Sequence, residues 1–216
     1  MNCHNLKIIR SLAFVIVIIV CSVGLPNNAS AECRPQPGAQ CHGAKLSRVD
    51  WRDANLEGID FHGADLESAS LAGANLKNAD LRGANLQLAR IESSNLTGAN
   101  LEGADLRWAN LTRSTLVGAR FTGSRMAKAD LQSADLSHAV LTNADLTQAD
   151  LTATDLQGAD LQGVKLDGAY LDYANLKQAN LFGASIKRAQ LIAARLNEAT
   201  WVDGKACKAP SIGACR

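Results

Sequence analysis

Between Ala44 and Asp203 a large apolar residue recurs at every fifth position, from Leu46, Trp51, Leu56 and Phe61 to Trp201, for 32 pentads without a slip of register. Two residues before it stands Ala in 25 of the 32, and one residue before it Asp or Asn in 19. The last position of the pentad is Gly in 12. On an α-helix a five-residue step drifts by about 140°, so no apolar stripe forms. On a flat strand five is an odd number, and successive large residues would face opposite ways. A chain that turns a corner once per pentad and coils about an axis satisfies the period. The large residue and the small one two before it then point inward, and the other three face water. A short fixed period of this kind marks a repeat architecture in which neighbouring turns bury one another's apolar faces.

The glycines suggest how many pentads close one coil. At the last position they gather on two phases out of four: 58, 98, 118 and 158 on one, and 63, 83, 103, 123, 163 and 183 on the next, with only Gly73 and Gly168 elsewhere. Gly suits the φ > 0 position of a type II turn. The pattern predicts a 20-residue coil with such corners mainly on two of its four sides, and 8 coils in all.

Clean runs such as Ala144-Asp145-Leu146-Thr147-Gln148-Ala149-Asp150-Leu151 follow the pattern A-[D/N]-L-x-x. In tandem this resembles the pentapeptide-repeat proteins, and the resemblance covers 160 of 216 residues. It implies an all-β fold, a right-handed quadrilateral β-helix. It does not imply an activity, because members share the fold and differ in function.

The ends differ from the middle. Residues 1–31 read as a cleaved secretory signal: Lys7 and Arg10 are basic, Ser11 to Leu25 is almost wholly apolar, and Ala29-Ser30-Ala31 is an A-x-A cleavage site. The apolar run is too short for an ordinary spanning helix, so no membrane span is expected after cleavage. A mature chain from Glu32 holds 20 basic and 21 acidic residues. That balance suits neither nucleic-acid binding nor an acidic mimic of it. Residues 32–43 and 204–216 read as caps around the solenoid at 44–203. Each carries two cysteines at the same spacing, Cys33 with Cys41 and Cys207 with Cys215. In an exported protein such cysteines read as disulfides. Of three connectivities we expect Cys33–Cys41 and Cys207–Cys215, because the solenoid holds the two pairs too far apart to cross-link. The stretch from Trp201 to Cys215 also looks like the ending of exported bacterial members of the family. Periplasmic or extracellular residence follows as an expectation.

No catalytic constellation is visible. Eleven carboxylates occupy the Asp/Asn position, but they recur with the repeat, as turn-forming residues do. The pairs Asp130/Asp150 and Asp135/Asp155 fall one coil apart, and solvated repulsion explains them better than a cation site. Asn55, Asn75 and Asn95 should stack as an amide ladder. Neither an enzyme, a cofactor nor a metal site is expected. Contact candidates are the outward positions that break the polar rule. Leu88 and Trp108 share one corner, with Arg107, Arg125 and Lys128 beside them. Tyr170, Tyr173 and Ile192 form a second group on the adjacent side, with Phe182 nearer the following corner. A non-catalytic solenoid in the bacterial envelope, structural or binding a protein partner, is the reading these features favour. Two alternatives are a rod binding glycan or cell wall through Trp108 or Tyr170, and a DNA-mimic inhibitor or protector of gyrase, as the quinolone-resistance members are. Export, near-neutral charge and the lack of a helical dimerisation tail count against the last.

Overall fold

The computed structural model describes residues 33–216; the expected leader and its cleavage site at Ala29 and Ala31 lie outside them. The chain coils with a period of 20 residues. Parallel bridges join each residue at the Asp/Asn position to the one 20 residues on, in an unbroken series from Gln40↔Asp60 to Asn180↔Thr200. Four such series make four sides. Side 1 runs from Gln40 to Thr200, side 2 from Lys45 to Ser185, side 3 from Asp50 to Gln190 and side 4 from Asn55 to Arg195. The strands are as short as strands can be, one bridge residue per side, with a turn between each and the next.

One coil shows how the backbone is satisfied. The Leu66 N–H donates to Asn85 O (2.7 Å), and the Asn85 N–H returns to Ala64 O (2.9 Å). At the corner the Gly63 N–H donates upward to Arg82 O (2.9 Å), while Ala64 N–H closes the turn onto Phe61 O (2.9 Å). Inside, the pentad pattern is realised as packing. From Leu56 to Leu181 the large residues are fully buried, and Ala fills the small positions between them. Each such Leu removed from water contributes roughly 1.5–3 kcal/mol. Ile59, a bulky residue at a small position, is also fully buried.

The corners depart from the glycine-based expectation. Every last position of a pentad from Gly38 to Glu198 has a left-handed φ, between 56° and 73°, and nineteen of these residues are not glycine. Left-handed corners therefore occur on all four sides. Each corner has the type II form, which places its third residue at φ > 0 whatever the side chain there. A non-glycine residue pays about 1–2 kcal/mol there, and the rest of the coil holds it in place.

The Asp/Asn position has a second use besides its bridge. All nineteen Asp and Asn residues there accept, through Oδ1, the N–H two residues on, at 2.9–3.5 Å. That N–H belongs to the second residue of the turn, which the bridges leave free, so the side chain completes the corner. The amide ladder is present on side 4: Asn75 Nδ2 donates to Asn55 (3.0 Å) and Asn95 Nδ2 to Asn75 (3.4 Å).

Both ends are tied by disulfides, Cys33–Cys41 and Cys207–Cys215, with Cα separations of 5.2 and 4.9 Å. The first cap is not separate from the repeat. Ala39-Gln40-Cys41-His42-Gly43 is itself a pentad in register, with Cys41 buried at the centre position and Gln40 bridged to Asp60. The solenoid thus begins at least one pentad before Ala44, and the turn ahead of it already has Gly38 at a left-handed corner, bonded to Glu57 O (2.8 Å). At the other end the tail turns back at Gly204 and runs antiparallel over the last coil, with bridges Thr200↔Ala206 and Arg195↔Ile212. Trp51 is half-buried at the front, stacked on Phe61 at 5.9 Å, and Trp201 is half-buried at the back.

Candidate contact surface

Leu88 and Trp108 stand one coil apart on the corner between sides 2 and 3, each about half exposed (52% and 47%). Both occupy left-handed positions, φ 58° in each case. The indole is bracketed by two cations, with the Arg107 guanidinium 5.5 Å and the Lys128 ammonium 5.8 Å from its ring centroid. Arg107 also forks onto Asp105 (2.8 and 2.7 Å), and Arg125 reaches the same carboxylate from one coil above (3.1 Å). Burial alone would push the Asp105 carboxyl up, but its bonds to Arg107 and the charge of Arg125 hold it below the usual carboxylate range. One carboxylate is thus shared by two guanidinium groups, and Lys128 has no ion pair among the described residues. The patch is an exposed aromatic and a leucine set in net positive charge.

Tyr170 lies on side 3, Tyr173 at the corner that follows it, and Ile192 one coil above that turn. All three are exposed. The backbone joins them: Tyr173 N–H donates to Ile192 O (2.8 Å), and Ile192 N–H to Asp172 Oδ1 (2.8 Å). Phe182 does not belong to this group. It follows side 1, across the coil from side 3, and its ring lies against Gly204 where the tail turns back. The repeat fixes Phe182 at a corner, but the tail decides what it touches. Ile212, exposed on that tail, was not a candidate by pattern, because it lies beyond the last pentad.

The carboxylate pairs one coil apart are already engaged. Asp130 and Asp150 each accept their own turn N–H, and Asp150 also accepts Gln132 Nε2 (2.7 Å). Asp155 accepts Asn175 Nδ2 (2.9 Å) as well as its turn N–H. Among the described residues no group of three or more His, Cys, Asp or Glu side chains is placed to hold a metal ion. His42 and His62 meet edge to face at 4.8 Å, and His138 has no such partner among the described residues.

The description "Pentapeptide repeats", in 8 copies, matches residues 38–71, 59–103, 89–127, 129–168 and 159–197. The chain belongs to the pentapeptide-repeat family. Among solved members of that family is HetL, involved in heterocyst differentiation regulation in the cyanobacterium Nostoc sp. strain PCC 7120. It is 30% identical over 79% of this chain and 92% of its own, with a TM-score of 0.40. A pentapeptide repeat protein of the Arabidopsis thaliana thylakoid lumen is 32% identical over 47% of this chain and 71% of its own, with a TM-score of 0.46. QnrB1, a plasmid-mediated fluoroquinolone resistance protein, is 18% identical over 71% of this chain and 82% of its own, with a TM-score of 0.51; that likeness is one of fold. No curated protein matches the chain. Leu88 with Trp108, and Tyr170 with Tyr173 and Ile192, are the two exposed apolar groups that this pentapeptide-repeat protein carries along its sides.

Proposed function

We propose that this pentapeptide-repeat protein is an exported, non-catalytic scaffold of the bacterial envelope, folded as a right-handed quadrilateral β-helix, that binds a protein partner through its exposed corners. One observation carries the reading. Every Asp and Asn at the position before the large residue is committed to its own turn, while bulky apolar side chains stand exposed at left-handed corners. Tyr173 is 63% exposed at a φ of 62°, where a glycine would rest without strain. Aromatic side chains and arginine are the residues that anchor protein interfaces. The two disulfides fit an oxidising compartment, as the leader does.

The test is crosslinking and capture on intact cells with the protein tagged after Arg216. The control has Tyr170, Tyr173 and Ile192 all changed to Ser. A single partner captured by the native chain and lost in the control is the expected result. The same background from both, together with binding of isolated wall polymer that Trp108→Ala abolishes, would replace a protein partner by a glycan.

A further inference from the structure

Among the described residues, the C-terminal end of the solenoid is covered on two of its four sides. The tail pairs with sides 4 and 1, where Leu196 and Ala199 are fully buried. On sides 2 and 3 Ile186, Ala189 and Leu191 are half-buried, whereas Leu166, Ala169 and Leu171, one coil below, have no exposure. The backbone is unfinished at the same place. The N–H groups of Ile186, Arg188 and Leu191 and the carbonyls of Ala184 and Ala189 have no backbone partner among the described residues. One coil below, the equivalent groups are all bonded. Leu166 N–H reaches Ser185 O (2.7 Å), Gly168 N–H reaches Lys187 O (2.8 Å) and Leu171 N–H reaches Gln190 O (2.7 Å). Val164 O and Ala169 O accept from Ser185 and Gln190 at 2.9 Å each.

Unpaired edge groups of this kind are a template for an added strand. The chain's own tail shows that this end accepts one. On the neighbouring sides Leu196 N–H donates to Ser211 O (2.8 Å), Glu198 N–H to Cys207 O (2.9 Å), and Cys207 N–H to Ala199 O (2.8 Å). Charge then selects among strands. Lys187 and Arg188 are exposed at the open corner and form no ion pair among the described residues. The carboxylate nearest them, Asp167, is occupied by the Ser185 hydroxyl (2.7 Å) and the Lys187 N–H (2.9 Å). From Lys165 to Arg216 the chain has eight basic and four acidic side chains. A second copy presenting the same end would bring a second Lys187 and Arg188 to the same interface, so like charge opposes self-stacking.

We propose that sides 2 and 3 of this end take an extended segment of a protein partner in which apolar residues alternate with carboxylates. The apolar residues complete the core over Ile186 and Leu191. The backbone bonds supply affinity, and the carboxylates meet Lys187 and Arg188. This deepens the protein-binding reading above and rests on it.

The probe is a strand copied from this chain. Residues 144–153 carry Asp145 and Asp150 and no base, and Leu146 and Leu151 lie two coils below Ile186 and Leu191 in the same phase. The matched control copies residues 184–193, which carry Lys187 and Arg188 and no acid. Each is fused after Arg216 through a flexible Gly/Ser linker, which brings its effective concentration to about the millimolar range. Amide hydrogen exchange is read at Ile186, Arg188 and Leu191. The acidic strand should slow exchange there by about tenfold or more, and the basic strand should not. In the double variant Lys187→Glu, Arg188→Glu the preference should reverse. No protection from either strand, or equal protection from both, overturns the proposal. Partner capture that fails while the acidic strand protects would sink the protein-binding reading and leave the edge chemistry standing.

Discussion

Ser114→Ala and Ser124→Ala make the same chemical change at the same kind of inward position, yet they should shift stability in opposite directions. Ser114 is 1% exposed and does the work of a missing turn bond. Its hydroxyl donates to Ile91 O (2.6 Å) and lies 3.4 Å from the Ser94 N–H, the two ends of a corner that lacks its own closing bond. Removing the hydroxyl leaves a buried carbonyl and a buried N–H without these partners. A buried polar group left unsatisfied costs about 1–3 kcal/mol. If the corner closes in response, part of that is recovered, so a loss of about 1–3 kcal/mol in total is expected. Ser124 is equally buried, but its hydroxyl has no hydrogen-bond partner among the described residues, and its corner is closed by its own N–H onto Phe121 O (2.9 Å). Ala there removes an unsatisfied group and should gain about 1 kcal/mol. The assay is equilibrium urea unfolding with both disulfides intact, comparing midpoints at unchanged slope. Shifts of the same sign in the two variants, or no loss in Ser114→Ala, would refute the hydrogen-bond reasoning.

Three further outcomes follow from the same structure. Ala104→Leu puts three extra carbons where there is no exposure and should destabilise by about 1–3 kcal/mol, read by the same urea midpoint. Asp105 has a folded-state pKa below its unfolded value. Its contribution is therefore fully present above about pH 4 and is lost as pH falls through the folded value. The midpoint gap between the native chain and Asp105→Asn should be widest at neutral pH and close in acid; a constant gap would be the contrary result. Cys207→Ser with Cys215→Ser should free the tail at a cost of about 2–3 kcal/mol by loop entropy. Because repeats couple mainly to their neighbours, faster exchange should appear at Leu196 and Glu198 and not at Leu106.

The core was legible because a period of five leaves the chain one way to bury both Leu and Ala, and each of 32 pentads repeats the instruction. The first pentad was hidden by a single residue. Ala39 and Gly43 stand in register, but the centre is Cys41, which reads as half of a disulfide before it reads as a core side chain. The contact surface was legible only as exceptions. An outward residue is free of the packing that dictates Leu106, so the pattern can say that Trp108 is outside but not what brackets it. Lys128 and Arg107 reach the indole across a coil and within a turn, and both placements depend on side-chain reach rather than on period. Phe182 is exposed as expected but stands after side 1, away from Tyr170, and its neighbour Gly204 lies beyond the last pentad, where the period gives no guidance.

The glycine pattern failed in a way that bears on function. Glycine was read as the marker of a left-handed corner, yet Leu88, Trp108 and Tyr173 hold the same backbone geometry. The corner is held by something glycine does not supply, the stacked N–H···O bonds above and below, joined at Leu88 and Trp108 by the Asn85 and Asp105 bonds to the second turn residue. Once these fix the backbone, the third turn residue is released from any conformational duty. It can then carry whatever side chain a surface needs, at a strain of about 1–2 kcal/mol spread over a coil that tolerates it. A corner bearing a strained Trp or Tyr in place of Gly is therefore the place on this rod where fold requirements explain least. That is the physical reason to look for a partner at Trp108 and Tyr173 first.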